Sequence, residues 1–140
     1  MAESRKSILI IEDDLDFAGF LKYLVEESGY SAVIAGTSAQ AIRALVKQKP
    51  DLITLDLILP GETGIKLFRK IRGSQNWNDI PIVIITGIDT NTNGDISYKN
   101  FLKGVAIRAP EAYLDKPVKS DFLIKTVDKL LAVAQSGKCD

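Results

Sequence analysis

Histidine is absent from the 140 residues of the sequence, and cysteine occurs once, as Cys139. The lack of histidine excludes serine–histidine–aspartate triads and zinc sites that use imidazole ligands. A single cysteine cannot form an internal disulfide, and this usage is typical of proteins kept in a reducing compartment. We therefore expect a cytoplasmic protein.

An excess of charge is missing as well, because 18 lysine and arginine residues balance 18 aspartate and glutamate residues. Nucleic acids and anionic membranes attract basic surfaces, so we expect neither as a partner. No apolar run approaches the roughly 20 residues that a membrane span needs. Residues 1–6 lead into a short apolar run that ends in acids, which is not the pattern of a signal peptide.

The remaining composition is that of an ordinary globular domain. Hydrophobic residues make up 46% and charged residues 26% of the chain, as in an average soluble protein. A chain of 140 residues fits one domain and can bury a core of its own. We predict a single domain over residues 1–140, with a core of about residues 7–135 and short tails at both ends.

Short apolar runs alternate along the chain with segments of helical periodicity. The runs are apolar and largely β-branched, as in strands buried on both faces of a parallel sheet, and they cover residues 7–11, 31–35, 52–55, 81–85 and 112–114. The order βαβαβαβαβα predicts a parallel sheet covered by helices on both faces.

The helical segments are defined by apolar residues that recur every three or four positions. These residues are Phe17, Phe20, Leu21, Leu24 and Val25, then Ala41, Ile42, Leu45 and Val46, then Ile65, Phe68 and Ile71, then Tyr98, Phe101 and Leu102, and finally Phe122, Leu123, Val127, Leu130 and Leu131. We interpret these stripes as core. We interpret the basic residues of the third helix, Lys66, Arg69, Lys70 and Arg72, as a solvated face.

Polar residues follow the predicted strands at one edge of the sheet. Glu12 and Asp13 end the first strand, Asp56 ends the third, Thr86 ends the fourth, and Lys116 lies just after the fifth. In open parallel sheets, binding sites form just beyond the carboxyl ends of the strands. We therefore expect these side chains to converge.

Three carboxylates at one place need a counter-ion, because two unit charges 4 Å apart repel by about 4 kcal/mol at an effective dielectric of 20. Oxygen ligands with open coordination positions suit Mg²⁺. A lysine ammonium suits a phosphoryl group, and a carboxylate can act as the nucleophile that forms an aspartyl phosphate. Transfer of this kind depends on positioning and charge neutralisation more than on acid–base chemistry.

Four stretches in this order resemble the response-regulator receiver family of two-component signalling, in its stand-alone form. The stretches are residues 8–14, residues 50–56 with the following Leu59, Pro60, Gly61 and Gly64, residues 80–86, and residues 113–117. The resemblance implies a flavodoxin-like (βα)5 fold, a doubly wound parallel sheet of five strands in the order 2-1-3-4-5.

The resemblance also implies a role for each site residue. Asp56 would be the phosphoacceptor, with Lys116 and Thr86 binding phosphoryl oxygens. Mg²⁺, with Mn²⁺ as a substitute, would be held by Asp13 and Asp56 directly, by Glu12 through water, and by the backbone carbonyl of Ile58. Tyr113 would be the switch aromatic that turns inward with Thr86, and the Lys116–Pro117 bond would be cis.

The partners implied are a sensor histidine kinase or a phosphotransfer protein as donor, and a downstream protein that the sequence does not identify. The downstream partner would bind a face made of the fourth helix, the fifth strand and the last helix. The chain would be a monomer or a phosphorylation-dependent dimer. It would be a signalling switch and not an enzyme, although it can catalyse its own phosphorylation and dephosphorylation.

Two alternatives remain open at this point. The first is a receiver-like interaction scaffold that is not phosphorylated. The second is an aspartyl-phosphate phosphatase of the haloacid-dehalogenase type, which needs a second aspartate two residues after the nucleophile. Position 58 is isoleucine, so the phosphatase is the weaker of the two.

The segment between Thr86 and Lys116 is longer than the family usually has, and residues 89–100 match part of an EF-hand loop. Asp89, Asn91, Asn93 and Gly94 are suitably spaced, but position twelve is Asn100, where a bidentate glutamate is needed. We therefore expect a polar loop in solvent and no Ca²⁺ site. In a Ca²⁺ titration followed by NMR, the amide signals of residues 89–100 should not shift; saturable shifts confined to that loop would contradict the prediction.

Overall fold

The computed structural model describes residues 5–61, 63–87 and 108–138. Within these ranges the strands are β1 (Ser7–Ile11), β2 (Ser31–Ala35), β3 (Leu52–Leu55), β4 (Ile82–Thr86) and β5 (Ala112–Asp115). The helices are α1 (Leu15–Glu27), α2 (Ser38–Lys47), α3 (Gly64–Arg72) and α4 (Ser120–Lys138). None of the described helices is both long enough and apolar enough to cross a bilayer.

The five strands form one parallel sheet in the order β2-β1-β3-β4-β5. The predicted fold class and strand order are therefore confirmed. The register places Ile11 beside Leu55, and it places Thr86 beside Asp115. The residues that follow these strands consequently leave the sheet at the same edge.

Two apolar clusters cover the two faces of the sheet. Leu9 and Ile11 belong to the cluster beneath α2 and α3, whereas Ile8 and Ile10 belong to the cluster beneath α1 and α4. Successive side chains of a strand point to opposite faces, so a strand buried on both faces is largely apolar. Strands β3 and β4 are buried along their whole length, and their residues are apolar except for Thr54 and Thr86.

The helices begin at side chains that accept hydrogen bonds from the first free amides, which have no partner within the helix. Asp14 accepts from the backbone N–H groups of Asp16 and Phe17 at the start of α1. Thr37 caps α2 and Thr63 caps α3 in the same way. These caps define the starts of the three helices and distinguish Asp14, a capping residue, from its neighbours Glu12 and Asp13.

Some residues of the predicted apolar stripes are exposed. Val46 is 72% exposed, Phe122 is 56% exposed and Phe20 is 42% exposed, whereas Leu45 is 2% exposed. These positions lie at the border of their stripes, where a single sheet face no longer covers the helix. The prediction that they belong to the core was wrong. The expected helix at Tyr98, Phe101 and Leu102, the loop at 89–100 and Cys139 lie outside the described residues.

Arg72 is buried, so the prediction of a solvated basic face on α3 was wrong for this residue. The side chain lies against the core beside the Phe68 ring, and its guanidinium carbon is 5.3 Å from the ring centroid. It donates to the carboxylate of Glu111 at 2.6 Å. It also donates to the backbone carbonyls of Asn78, Ile80, Arg108 and Ala109. These bonds use all five N–H donors of the guanidinium.

Glu111 is bound from three sides, because it also accepts from the backbone N–H of Ile82 at 2.7 Å and pairs with Arg108 at 2.6 Å. Arg72 and Glu111 therefore tie the end of α3 to the starts of β4 and β5. Every N–H donor of the buried Arg72 guanidinium has an acceptor. The cluster lies at the amino edge of the sheet, opposite the edge where Glu12 and Asp56 follow their strands.

We expect Arg72→Met to lower the free energy of unfolding by about 3 kcal/mol, because it removes one partner of the buried pair with Glu111 and leaves the Ile80 and Ala109 carbonyls without this donor. Lys66→Met, on the exposed side of the same helix, is the matched control and should change it by less than about 0.5 kcal/mol. Urea unfolding followed by circular dichroism measures both. Equal effects of the two substitutions would contradict the structural role of Arg72.

Candidate functional site

Asp56 follows β3, and its carboxylate is bound by groups from three other parts of the chain. One carboxylate oxygen, Oδ1, accepts from the backbone N–H of Ile58 at 3.0 Å and from the Thr86 hydroxyl at 3.2 Å. The other oxygen, Oδ2, accepts from the Lys116 ammonium at 3.0 Å. The residue is only 5% exposed. Its orientation is therefore determined by the loop after β3 and by the ends of β4 and β5.

Glu12 is the second buried carboxylate, and it follows β1 beside Asp56. One of its oxygens pairs with Lys116 at 2.8 Å, and the other accepts from the backbone N–H of Asp14 at 3.0 Å. Burial raises the pKa of Glu12 above its ordinary value, and the charge of Asp56 raises it further. The hydrogen bonds from Lys116 and Asp14 act in the opposite direction. Repulsion between the two buried acids is therefore only partly relieved.

Lys116 lies between the two buried carboxylates. Burial lowers its pKa, but the hydrogen bonds to Glu12 and Asp56 raise it more, so the net pKa lies above the ordinary lysine value. The ammonium is therefore charged at neutral pH. Its nitrogen also lies 4.6 Å from the centroid of the Phe17 ring.

The carboxylates of Glu12, Asp13 and Asp56 offer oxygen atoms that lie within 4.8 Å of one another. Within the described part of the chain, three carboxylates and the one ammonium that contacts Glu12 and Asp56 leave a deficit of two positive charges. Hard oxygen donors around that deficit fit a divalent cation such as Mg²⁺. Asp13 is exposed, unlike the other two acids, so the cluster opens to solvent on one side. An open side suits Mg²⁺, which keeps several waters.

Gly64 lies against the backbone that carries Asp56. A Cβ atom at this position would lie 2.2 Å from the backbone oxygen of Asp56 and 2.6 Å from the Cα of Leu57. The Gly64 N–H donates to the backbone oxygen of Leu57 at 2.9 Å. Helix α3 can therefore begin directly against the site loop only because this residue has no side chain.

The structure brings together most of the residues predicted for the site. Glu12, Asp13, Asp56, Thr86 and Lys116 converge at the carboxyl edge of the sheet. Ile58 joins them through its backbone N–H. The contribution of its carbonyl stays a prediction. The Lys116–Pro117 bond is cis, as expected.

Tyr113 lies outside this ionic group. Its ring is partly buried and packs against the core cluster beneath α2 and α3. Burial raises the pKa of its hydroxyl above the ordinary value. The register places Tyr113 on β5 beside Ile84, two residues before Thr86. Its predicted movement remains a prediction.

Sequence reasoning missed three contacts of the site. It assigned Phe17 to the core, did not pair Lys116 with Glu12, and treated Gly64 only as part of a motif. The position of Phe17, one turn of helix after Asp13, was a signal that its ring lies close to the site. The other two contacts depend on side-chain and backbone packing that spacing along the chain does not reveal.

The fold and the site define the class of protein. It is an α/β domain whose parallel five-stranded sheet carries an acidic, cation-compatible cluster and Lys116 at its carboxyl edge. The family model described as the response regulator receiver domain matches residues 8–128. The chain therefore belongs to the response regulator receiver domain family. Members of this family are phosphorylation-based signalling switches of two-component systems, and they bind Mg²⁺ at an acidic pocket.

Relatives and solved structures agree with this assignment. The phosphate regulon transcriptional regulatory protein PhoB of Pseudomonas aeruginosa is 31% identical over 126 residues, covering 90% of this chain and 52% of PhoB. Protein Rrf1 of Nitratidesulfovibrio vulgaris is 27% identical over 135 residues, covering 95% of this chain and 88% of Rrf1. A crystal structure of a response regulator from Chloroflexus aurantiacus has a TM-score of 0.77 and 29% identity, covering 92% of this chain and 99% of that chain.

The chain spans about half the length of PhoB, so the transcriptional role in PhoB's name describes that protein. The matches therefore establish the receiver domain itself.

We expect Gly64→Ala to lower the free energy of unfolding by more than about 1 kcal/mol, because the new methyl group collides with the Asp56 backbone. Gly19→Ala is the matched control, since a Cβ at Gly19 on α1 meets nothing within 4 Å. That substitution should raise stability by about 0.5–1 kcal/mol. Urea unfolding of both variants measures the difference, and changes of the same sign would contradict the role assigned to Gly64.

Proposed function

We propose that this chain is a receiver switch in which Asp56 accepts a phosphoryl group from a sensor histidine kinase or a phosphotransfer protein. The observation that supports this most directly is the bonding of Asp56. Its two carboxylate oxygens accept from Thr86, Lys116 and the Ile58 amide. These hydrogen-bond donors suit a carboxylate that becomes an aspartyl phosphate, because the added phosphoryl group brings further negatively charged oxygens. We propose that the receiver unit extends over residues 1–140.

The proposed step is a direct phosphoryl transfer. A carboxylate oxygen of Asp56 attacks the phosphorus, and a new O–P bond forms while the P–N bond of the donor phosphohistidine breaks. The electron pair of the broken bond stays with the imidazole nitrogen of the donor. Lys116 and Thr86 then donate to phosphoryl oxygens. Their contribution is positioning and charge neutralisation, which dominate catalysis of phosphoryl transfer.

The acidic cluster fits the divalent cation that the proposal needs. Asp13 and Asp56 would hold Mg²⁺, or Mn²⁺ in its place, with Glu12 acting through water and the Ile58 carbonyl as a further ligand. When bound, the cation supplies positive charge to the phosphoryl oxygens. Glu12 also binds Lys116 at 2.8 Å, which keeps the ammonium at the site throughout.

The signal would leave the site through Thr86 and Tyr113. Thr86 contacts Asp56 directly, and Tyr113 lies on the adjacent strand β5. The proposed output surface includes β5 and α4, where Phe122 is 56% exposed and lines a surface cleft with Ala112 and Leu130. A protein partner would bind there after phosphorylation.

The test is incubation of the chain with acetyl phosphate and Mg²⁺, followed by intact mass spectrometry. We expect one added phosphoryl group on the wild type, none on Asp56→Asn, and loss of the modification when EDTA is present from the start. Asp115→Asn is the matched control, because Asp115 is an exposed carboxylate at the same edge of the sheet. It should be modified like the wild type.

Two other outcomes separate the alternatives. Continuous release of free phosphate in excess of the protein would indicate a phosphatase. A wild type that gains no mass under conditions that modify another receiver domain would indicate an interaction scaffold. Equal modification of wild type and Asp56→Asn would remove Asp56 from the proposal.

A further inference from the structure

The Lys116 ammonium has a third neighbour besides the two buried carboxylates. Its nitrogen lies 4.6 Å from the centroid of the Phe17 ring, within the range in which a cation is attracted by the face of an aromatic ring. Phe17 is in the first turn of α1 and packs against the core cluster beneath α1 and α4. Its ring is therefore held by the core on one side and available to the ammonium on the other.

The three neighbours differ in what they require of Lys116. Glu12 and Asp56 accept hydrogen bonds at 2.8 and 3.0 Å, and each carries a charge that other cations can also neutralise. The Phe17 ring attracts the ammonium through its quadrupole and accepts no conventional hydrogen bond from it. The lysine side chain is 24% exposed and has four flexible carbons, so a lateral contact with the ring further restricts the positions that the bond to Glu12 leaves open.

A phosphoryl group on Asp56 changes these contacts unequally. The bond from Lys116 to Asp56 Oδ2 at 3.0 Å involves the carboxylate that reacts. The contact with Phe17 involves no reacting atom, and the ring carries no negative charge that competes with the phosphoryl oxygens for the ammonium. It can therefore persist before, during and after the transfer.

We propose that Phe17 is a positioning residue whose ring face holds the Lys116 ammonium at the reacting carboxylate, which makes Lys116 ready to neutralise the incoming phosphoryl group. The inference rests on the proposed role of Asp56 as phosphoacceptor. Because the contact depends on the ring face, tyrosine or tryptophan at position 17 should preserve the positioning of Lys116, and an aliphatic residue of similar volume should not.

The experiment compares the initial rate of phosphorylation by acetyl phosphate and Mg²⁺ in the wild type, Phe17→Leu, Phe17→Tyr and Phe17→Trp. Losing the attraction between cation and ring should slow Phe17→Leu about fivefold, whereas Phe17→Tyr and Phe17→Trp should stay within about twofold of the wild type. Tyr23→Leu is the matched control, since this aromatic side chain on the same helix α1 is 62% exposed, and it should react like the wild type.

A second measurement reports the contact without any phosphoryl donor. The Lys116 Nζ lies over the ring, so the NMR signals of the adjacent Hε protons should be shifted upfield in the wild type, Phe17→Tyr and Phe17→Trp. In Phe17→Leu they should return to the ordinary lysine position. Urea unfolding of each variant separates this effect from loss of fold, and the rates are compared only among variants that are folded.

Three outcomes would overturn the proposal. If Phe17→Leu reacts as fast as the wild type, Phe17 has no positioning role. If the leucine, tyrosine and tryptophan variants are all slowed equally, the effect of Phe17 is one of packing alone. Unchanged Lys116 signals in Phe17→Leu would show that the ring does not hold the ammonium. A wild type that takes up no phosphoryl group would refute the proposed function itself, and the NMR comparison would still report on the contact.

Discussion

The Lys116 ammonium between Glu12 and Asp56 is the interaction on which this site depends. Two carboxylates that are almost fully buried repel each other, and burial raises the pKa of Glu12. Lys116, which follows β5, contacts one carboxylate oxygen of Glu12 and one of Asp56. This contact allows the two acids to remain side by side. With Asp13 added, negative charge still exceeds positive charge. This imbalance fits the Mg²⁺ that receiver domains bind at an acidic pocket.

Two ionic clusters among the described residues differ in how far their polar groups are satisfied. At the amino edge of the sheet, Arg72 uses all its donors and Glu111 is bound by Arg72, Arg108 and the Ile82 amide. Because every donor of Arg72 is engaged by other parts of the chain, this group contributes to structure. At the carboxyl edge, Asp13 is exposed and the acids outnumber the cation. An open, unbalanced cluster can bind and release charged groups.

The secondary-structure elements could be predicted because their patterns involve residues that are close together along the chain. The strands followed from continuous apolar runs and the helices from apolar residues that recur every three or four positions, because periodicity is a local property. The burial of individual side chains was less predictable. Val46 and Phe122 lie at the border of their helical stripes and face solvent, whereas Arg72, which is charged, is enclosed by the core and by residues distant in sequence.

The sequence by itself determined the order of strands and helices and the identity of the polar residues that follow the strands. In a parallel sheet this order brings Glu12, Asp56, Thr86 and Lys116 to one edge, so their convergence could be inferred from position along the chain. Only the tertiary structure decided which of these groups bond to one another, that Phe17 covers the ammonium, and that Gly64 must lack a side chain. Contacts of this kind depend on distances of a few ångströms between elements far apart in sequence, and hydrophobic periodicity carries no information about them.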